Sequence, residues 1–136
     1  MSFTYTQRIK FRHCDPAGIV FYPRFFEMMN DTVEAFFARR LDFPFAEVMD
    51  GHGVPTAQIS AVFAAPSRLG DVLEIALDPG RVGRSSLDLD YTAHCKSELR
   101  FTGSSTLVFV DAAGRPTPWP DRVRRILMAE IGGDDR

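Results

Sequence analysis

A long and almost entirely apolar segment most strongly limits what this chain can fold into. Over residues 23–40 apolar side chains fall on most of the circumference of a helix, and they leave only a narrow polar strip formed by Glu27, Asn30, Asp31 and Glu34. A helix with so much apolar surface is buried on several sides rather than on one. The segment therefore predicts a central helix that other elements surround.

The segments around this helix have the patterns that are typical of strands. Residues 3–11 alternate between mainly aromatic or β-branched and polar positions, and we expect the odd-numbered side chains, up to Phe11, to face the core. Further strands are predicted at 54–63, 71–77, 85–95 and 98–110, turns at 78–80 and 111–116, and shorter helices at 44–50 and 121–131. Short connections favour antiparallel pairing. The order predicts an α+β fold of one domain, residues 1–136, with an antiparallel five-stranded sheet wrapped around the long helix.

Composition and charge exclude several classes of function. A net charge of −2 argues against nucleic acid or an anionic membrane as the main partner. The N-terminal residues have no secretory signal, and no apolar run has the length of a membrane span. Cys14 and Cys95 lack the spacing of metal ligands with the three histidines. We therefore expect a reduced, cytoplasmic protein that uses no metal.

The segment between the first strand and the long helix carries the candidate chemistry. Asp15 precedes Pro16, and a residue before proline is disfavoured in the helical region, which keeps this carboxylate outside the following helix. Gly18 supplies the backbone freedom to reverse direction, and Pro23 suits the first helical position. N–H groups around Tyr22 then point out of a helix N-terminus, which favours a developing negative charge. A fixed carboxylate facing such a helix end is what acyl transfer requires.

Each of these residues also has an ordinary structural interpretation. Asp15 by itself suits an Asx turn or a helix cap, and only the surrounding sequence favours catalysis. Tyr22 would act through its backbone, while its ring packs. His13 would share a face with Asp15 in an extended segment, where it either tunes the carboxylate or has no role. Cys14 is most simply a small apolar residue.

The sequence Asp-Pro-Ala-Gly-Ile-Val-Phe-Tyr-Pro at residues 15–23, together with Phe-Arg-His-Cys at 11–14, closely resembles the signature of the 4-hydroxybenzoyl-CoA thioesterase family of the hotdog-fold superfamily. The order of elements matches over nearly the whole chain. The resemblance implies a hotdog fold, a homodimer or homotetramer with active sites at subunit interfaces, and hydrolysis of an acyl-CoA. No cofactor is implied, because coenzyme A is part of the substrate.

The resemblance also assigns roles to residues of the signature. The carboxylate at the position of Asp15 is the nucleophile or general base in this family, and the N–H at the position of Tyr22 binds the thioester carbonyl oxygen. We expect Gly18, Phe21 and Pro23 to contact the substrate. The residues leave open whether the carboxylate attacks the thioester or activates water.

A basic region near the entry to the fourth strand contacts the phosphates of coenzyme A in this family, and Arg84 and Arg81 match it here. The chain departs from the family pattern in Arg24-Phe25-Phe26 after Tyr-Pro and in His13, where an acidic residue is common. These departures concern the acyl group and the coenzyme A contacts more than the thioesterase chemistry.

Two alternative functions remain at the level of sequence. A dehydratase or hydratase on the same fold would need a catalytic histidine paired with an acid from the facing subunit, and none of the three histidines has a suitable setting. A non-catalytic module that binds acyl-CoA or acyl carrier protein would keep the pocket but lack turnover.

Overall fold

A computed structural model describes residues 2–132 of the chain. The sheet-forming elements are β1 (Phe3–Arg8), β2 (His52–Gly53), β3 (Thr56–Phe63), β4 (Val72–Val82), β5 (Ser86–Cys95), β6 (Glu98–Val108) and β7 (Val110–Asp111). The helices are α1 (Pro23–Arg39), α2 (Phe45–Val48) and α3 (Asp121–Gly132), and a 3₁₀ turn covers Phe11–His13.

Five of the strands form one antiparallel sheet in the order β1-β4-β5-β6-β3. The two outer strands of this sheet are β1 and β3. In the chain β1 precedes the long helix α1 and β3 follows it, so α1 connects strands at opposite edges of the sheet. The short strands β2 and β7 form a separate pair that the sequence did not predict. The predicted α+β class and the five-stranded antiparallel sheet are confirmed.

The long helix α1 packs across the inner face of this sheet. Near its end the ring of Phe36 meets Phe3 of β1 at 5.7 Å, and near its start Phe25 meets Phe101 of β6 at 5.1 Å. In between, β6 passes so close to Met29 that a Cβ added at Gly103 would lie 2.8 Å from the methionine methyl group. The helix therefore contacts β1 at one edge of the sheet and β6 next to the other edge. The sheet curves around the helix, as predicted.

The strand prediction is wrong at two places. Phe11 is 83% exposed rather than core-facing, because β1 ends at Arg8 and the chain enters the 3₁₀ turn. The predicted turn at 78–80 is instead a continuation of β4, with a bulge between Pro79 and Arg81. Pairing with β1 ends at Leu77, so Pro79 lies beyond the end of that strand, where its missing N–H breaks no ladder with β1.

Candidate active site

A tight hairpin connects the 3₁₀ turn to α1 and carries the candidate carboxylate. Cys14 and Val20 form an antiparallel bridge, and the N–H of Asp15 donates to the carbonyl of Ile19 at 2.9 Å. The N–H of Gly18 donates back to the carbonyl of Asp15 at 2.9 Å, with Gly18 at φ +82°. A side chain at Gly18 would be strained in this left-handed conformation. Both backbone polar groups of Asp15 are therefore used to fix its position.

Only one of the two carboxylate oxygens of Asp15 accepts a hydrogen bond from residues 2–132. Its Oδ1 accepts the N–H of Ala17 at 2.9 Å, which is the Asx turn that the ordinary interpretation predicts. Among residues 2–132 no hydrogen bond engages the other oxygen, Oδ2, and the residue is half-buried. The turn therefore orients the carboxylate and leaves one oxygen for a substrate or a water molecule.

The start of α1 supplies an uncommitted N–H close by in the chain. The helix begins at Pro23, as predicted, and its first bonds run from the N–H groups of Arg24 and Phe25 to the carbonyls of Phe21 and Tyr22. The N–H of Phe21 is already used by the carbonyl of His13 at 2.9 Å. In the described part of the chain, the N–H of Tyr22 has no acceptor. This amide is therefore the available donor at the helix start.

An apolar cavity of about 290 Å³ opens beside Tyr22. Its walls come from the hairpin, the start of α1, the end of β3 and the loop that follows β3; they are Ile19, Val20, Tyr22, Phe25, Phe63 and residues 64–67. The ring of Phe63 lies 5.4 Å from that of Phe25 and 6.3 Å from that of Tyr22. Asp15, Gly18, Phe21 and Pro23 lie in the adjoining hairpin and helix start rather than in the wall of this cavity.

Sequence reasoning missed Phe63 and Ser67 as residues of the site. Both are about forty positions away from the signature, and only tertiary folding brings them to it. Phe63 is the last residue of the predicted strand 54–63, and an aromatic side chain at the end of a strand is the one sequence signal for it. Ser67 carried no signal.

His13 is buried beneath the hairpin and acts on the backbone. Its Nδ1 accepts the N–H of Lys10 at 2.8 Å, so the neutral ring carries its proton on Nε2. Burial, and then the positive charges of Arg12 and Lys10, lower the pKa of His13. It makes no hydrogen bond to Asp15. The contacts favour a structural role in the turn over a role in catalysis.

The other histidines and the cysteines are occupied elsewhere. His52 stacks on Phe109 with ring centroids 4.8 Å apart, and His94 lies on the outer face of β5. The Sγ of Cys14 lies 3.7 Å from the carbonyl of Lys10, and Cys95 is buried; both are free thiols. No histidine is placed to serve the dehydratase alternative.

The structure does not bring Arg81 and Arg84 to Asp15 within one chain. Asp15 follows the end of β1 that pairs with Val72 at the start of β4, whereas Arg81 lies near the end of β4 and Arg84 in the turn that follows. Eleven residues of strand separate the two ends, or about 33 Å. Within one chain these arginines therefore lie at the opposite end of the sheet from Asp15.

Comparison with known proteins places the chain in a family. Residues 9–127 match the family model of the Thioesterase-like superfamily, which covers most of the chain. The protein belongs to the Thioesterase-like superfamily.

Individual relatives are similar over most of their length. The chain is 27% identical over 119 residues to a 1,4-dihydroxy-2-naphthoyl-CoA hydrolase of Nostoc punctiforme, covering 85% of this chain and 78% of the relative. A solved gentisyl-coenzyme A thioesterase is 27% identical, with a TM-score of 0.85 over 92% of this chain and 99% of the other. A 1,4-dihydroxy-2-naphthoyl-CoA thioesterase of Synechocystis, 19% identical, has the same fold, with a TM-score of 0.84 over 100% and 99% of the two chains.

Residues 2–132 contain neither a metal-binding cluster nor a membrane-spanning helix. No cluster of three or more histidine, cysteine, aspartate or glutamate side chains is arranged to hold a metal ion. None of the helices in that range combines the length and apolar character needed to cross a bilayer.

The buried His13 leads to a prediction about pH. Because its folded-state pKa is lowered, the unfolded chain binds a proton more readily, and the free energy of unfolding should fall as the pH drops below about 6.5. The variant His13→Asn keeps an acceptor for the N–H of Lys10 but cannot titrate. Urea unfolding at pH 7.5 and 5.5 should show a smaller acid-induced loss in the variant. Equal losses in the two proteins would contradict the prediction.

Proposed function

We propose that this protein hydrolyses an acyl-CoA thioester to a free acid and coenzyme A. The observation that carries the proposal is the carboxylate of Asp15, oriented by its own turn, in a hairpin that leads directly to the uncommitted N–H of Tyr22. Family membership supports the reaction class, and two relatives similar at 27% identity are named as coenzyme A thioester hydrolases. The signature at residues 15–23 extends the proposal to 4-hydroxybenzoyl-CoA thioesterase-like chemistry.

The two groups divide the work between charge stabilisation and attack. The N–H of Tyr22 donates to the thioester carbonyl oxygen and stabilises the negative charge that develops on it. Oδ2 of Asp15 then either attacks the carbonyl carbon, giving a mixed anhydride and expelling the thiolate, or removes a proton from an attacking water. Hydrolysis of the anhydride by water, or collapse of the water adduct, gives the same acid and the same thiol. Both routes remain part of the proposal.

The cavity beside Tyr22 would receive the acyl group. Its walls are mainly apolar, and they include Phe25 and Phe63, whose rings pack against each other with centroids 5.4 Å apart. Desolvation of an aromatic or medium-length acyl chain against these rings would supply binding energy next to the reacting carbon. Phe21, whose ring is exposed and lies 5.7 Å from that of Tyr22, would cover the mouth of the site.

The edge strand β3 would join two subunits. It is exposed along nearly its whole length, with Val62 70% exposed and Ile59 and Phe63 also exposed. The N–H of Ala64 donates to the carbonyl of Arg100 in β6, so by alternation the N–H groups of Ile59 and Ala61 point away from the sheet. An exposed apolar edge with free N–H groups is a template for pairing with a second copy.

Such a dimer would complete the site. If two β3 strands pair antiparallel about a two-fold axis, the Phe63 end of one meets the Thr56 end of the other. The Thr56 end shares its side of the sheet with the turn that carries Arg84. Arg84 of the partner subunit, and less securely Arg81 of the partner subunit, would then approach the end that holds Asp15 and bind the phosphates of coenzyme A. A homotetramer built from such dimers is compatible with the same sites.

The carboxylate is tested by Asp15→Asn. The variant keeps an acceptor for Ala17 but loses the negative charge, so thiol release from a panel of aromatic, short and long acyl-CoA substrates should fall about 10³-fold or more. Binding of a non-hydrolysable acyl-CoA ether should be retained. Exposed Asp50→Asn serves as the control and should keep full turnover.

Survival of turnover in Asp15→Asn would show that the hairpin is only a turn. If neither wild type nor variant turns over any thioester while both bind the ether, the non-catalytic binding module replaces the proposal.

The oxyanion donor is tested by Tyr22→Pro. Tyr22 has φ −53°, which proline adopts, and its N–H has no partner in the described chain, so the substitution removes the proposed donor without breaking another hydrogen bond. It also removes the ring that lines the cavity, which the control variant has to match. We expect kcat to fall about 10²- to 10³-fold. The control Tyr22→Ala also loses the ring but keeps the N–H, and its kcat should fall much less than that of Tyr22→Pro. Circular dichroism and the unfolding temperature check that both variants fold, and an unchanged kcat in Tyr22→Pro would remove the amide from the mechanism.

The shared site is tested by mixing subunits. Arg84→Gln should raise KM for an acyl-CoA about tenfold by removing a charged phosphate contact, and Asp15→Asn should be inactive. A mixed dimer of the two variants has one site in which both residues are intact. Co-purified through two different affinity tags, it should hydrolyse acyl-CoA with the wild-type KM.

A matched variant checks that the edge strand is responsible. Ala61→Pro removes an outward N–H and should yield a monomer by sedimentation, whereas Ala61→Ser should remain dimeric. A mixed dimer whose KM stays at the raised value would show that Arg84 acts on the site of its own subunit, and an unchanged KM in Arg84→Gln itself would place Arg84 outside the site.

A further inference from the structure

The loop between β3 and β4, residues 64–71, is attached to the hairpin that carries Asp15. The carbonyl of Ser67 accepts the N–H of Val20 at 2.9 Å, and Ile19 forms an antiparallel bridge with Arg68. Residues 64–67 of this loop also form one wall of the apolar cavity. The positions of the hairpin and of the cavity wall therefore depend on where this loop is held.

Arg100 of β6 holds the loop at three points. Its Nη1 donates to Oδ2 of Asp71 at 2.7 Å and to Oγ of Ser67 at 3.1 Å. Its carbonyl accepts the N–H of Ala64 at 2.8 Å. Its Nε lies 2.7 Å from a carboxylate oxygen of Glu98, as an ion pair without the alignment of a hydrogen bond. A single residue thus connects the start, the middle and the end of the loop.

Burial gives these contacts their strength. The side chain of Arg100 is 11% exposed, that of Asp71 is 28% exposed and Ser67 is 1% exposed, so the ion pair is partly shielded from water and salt. Asp71 also accepts the N–H of Arg68 at 2.9 Å. The hydrogen bond from Arg100, and then that from the backbone of Arg68, lower the pKa of Asp71. The pair stays charged down to acidic pH.

We propose that Arg100 is a positioning residue for the active site. By fixing Ser67 it fixes the carbonyl that binds Val20, and Val20 is the bridge partner of Cys14, which precedes Asp15. The same strand leads through Phe21 to the N–H of Tyr22. Arg100 touches neither the carboxylate nor the amide, and acts by setting the distance between them. This inference rests on the proposed thioesterase function.

The test compares two ion-pair variants. Arg100→Met removes the side-chain contacts of Arg100 with Ser67 and Asp71. Arg40→Met removes the part-buried ion pair of Arg40 with Glu130, which joins the end of α1 to α3 away from the hairpin. Both variants should lower the unfolding temperature. At a temperature well below both transitions, only Arg100→Met should lower kcat, by about 10- to 100-fold, because a small displacement of reacting groups is costly. Ser67→Ala, which keeps the carbonyl, should lose less.

Hydrogen exchange at the N–H of Val20 provides a readout that does not need turnover. Exchange should accelerate in Arg100→Met and stay at the wild-type rate in Arg40→Met. Unchanged Val20 exchange, or an unchanged kcat in an active protein, would overturn the inference. An inactive wild type would instead refute the proposed function, and Val20 exchange would still decide whether Arg100 holds the hairpin.

Discussion

The packing of α1 against the inner face of the sheet is the contact on which the rest of the structure depends. The helix buries aromatic and methionine side chains from its first turn to its last, and these side chains meet β1 at one edge and β6 near the other. No flat sheet can cover a helix on several sides, so the sheet curves. Phe25 sits between Phe63 and Phe101 and thereby fixes the start of the helix over the end of β3. Tyr22 therefore lies beside the apolar cavity as a consequence of core packing.

The hairpin before α1 has a backbone held by hydrogen bonds and a few polar groups that have no partner among residues 2–132. Its backbone groups are paired with one another, with His13 or with Ser67, so little conformational freedom remains. Among the polar groups that have no partner in the described residues are Oδ2 of Asp15 and the N–H of Tyr22. These two groups are pre-organised, because no internal hydrogen bond has to break before either of them can bind a ligand.

The two ends of the sheet carry different kinds of side chain. The end near Asp15 has the apolar cavity and the ion pair of Arg100 with Asp71, whereas the end near Arg84 carries exposed arginines. An acyl-CoA has the same division, with an apolar acyl group at one end and a phosphate-rich nucleotide at the other. About 33 Å of strand separates these two ends, so a single chain does not bring the two kinds of side chain together.

The sequence by itself determined the elements whose cause is local. The apolar circumference of residues 23–39 specifies a buried helix, and Pro16, Gly18 and Pro23 specify the turn and the helix start, since each restricts or frees the backbone at its own position. Local patterns failed where a neighbour in space decides the outcome. Alternation continued to Phe11 although β1 ends at Arg8, and the turn signal at Pro79 was overridden by pairing with β5. The positions of Phe63, Ser67 and Arg100 at the candidate site were decided only by the tertiary structure, because the contacts that place them there join residues 29 or more positions apart.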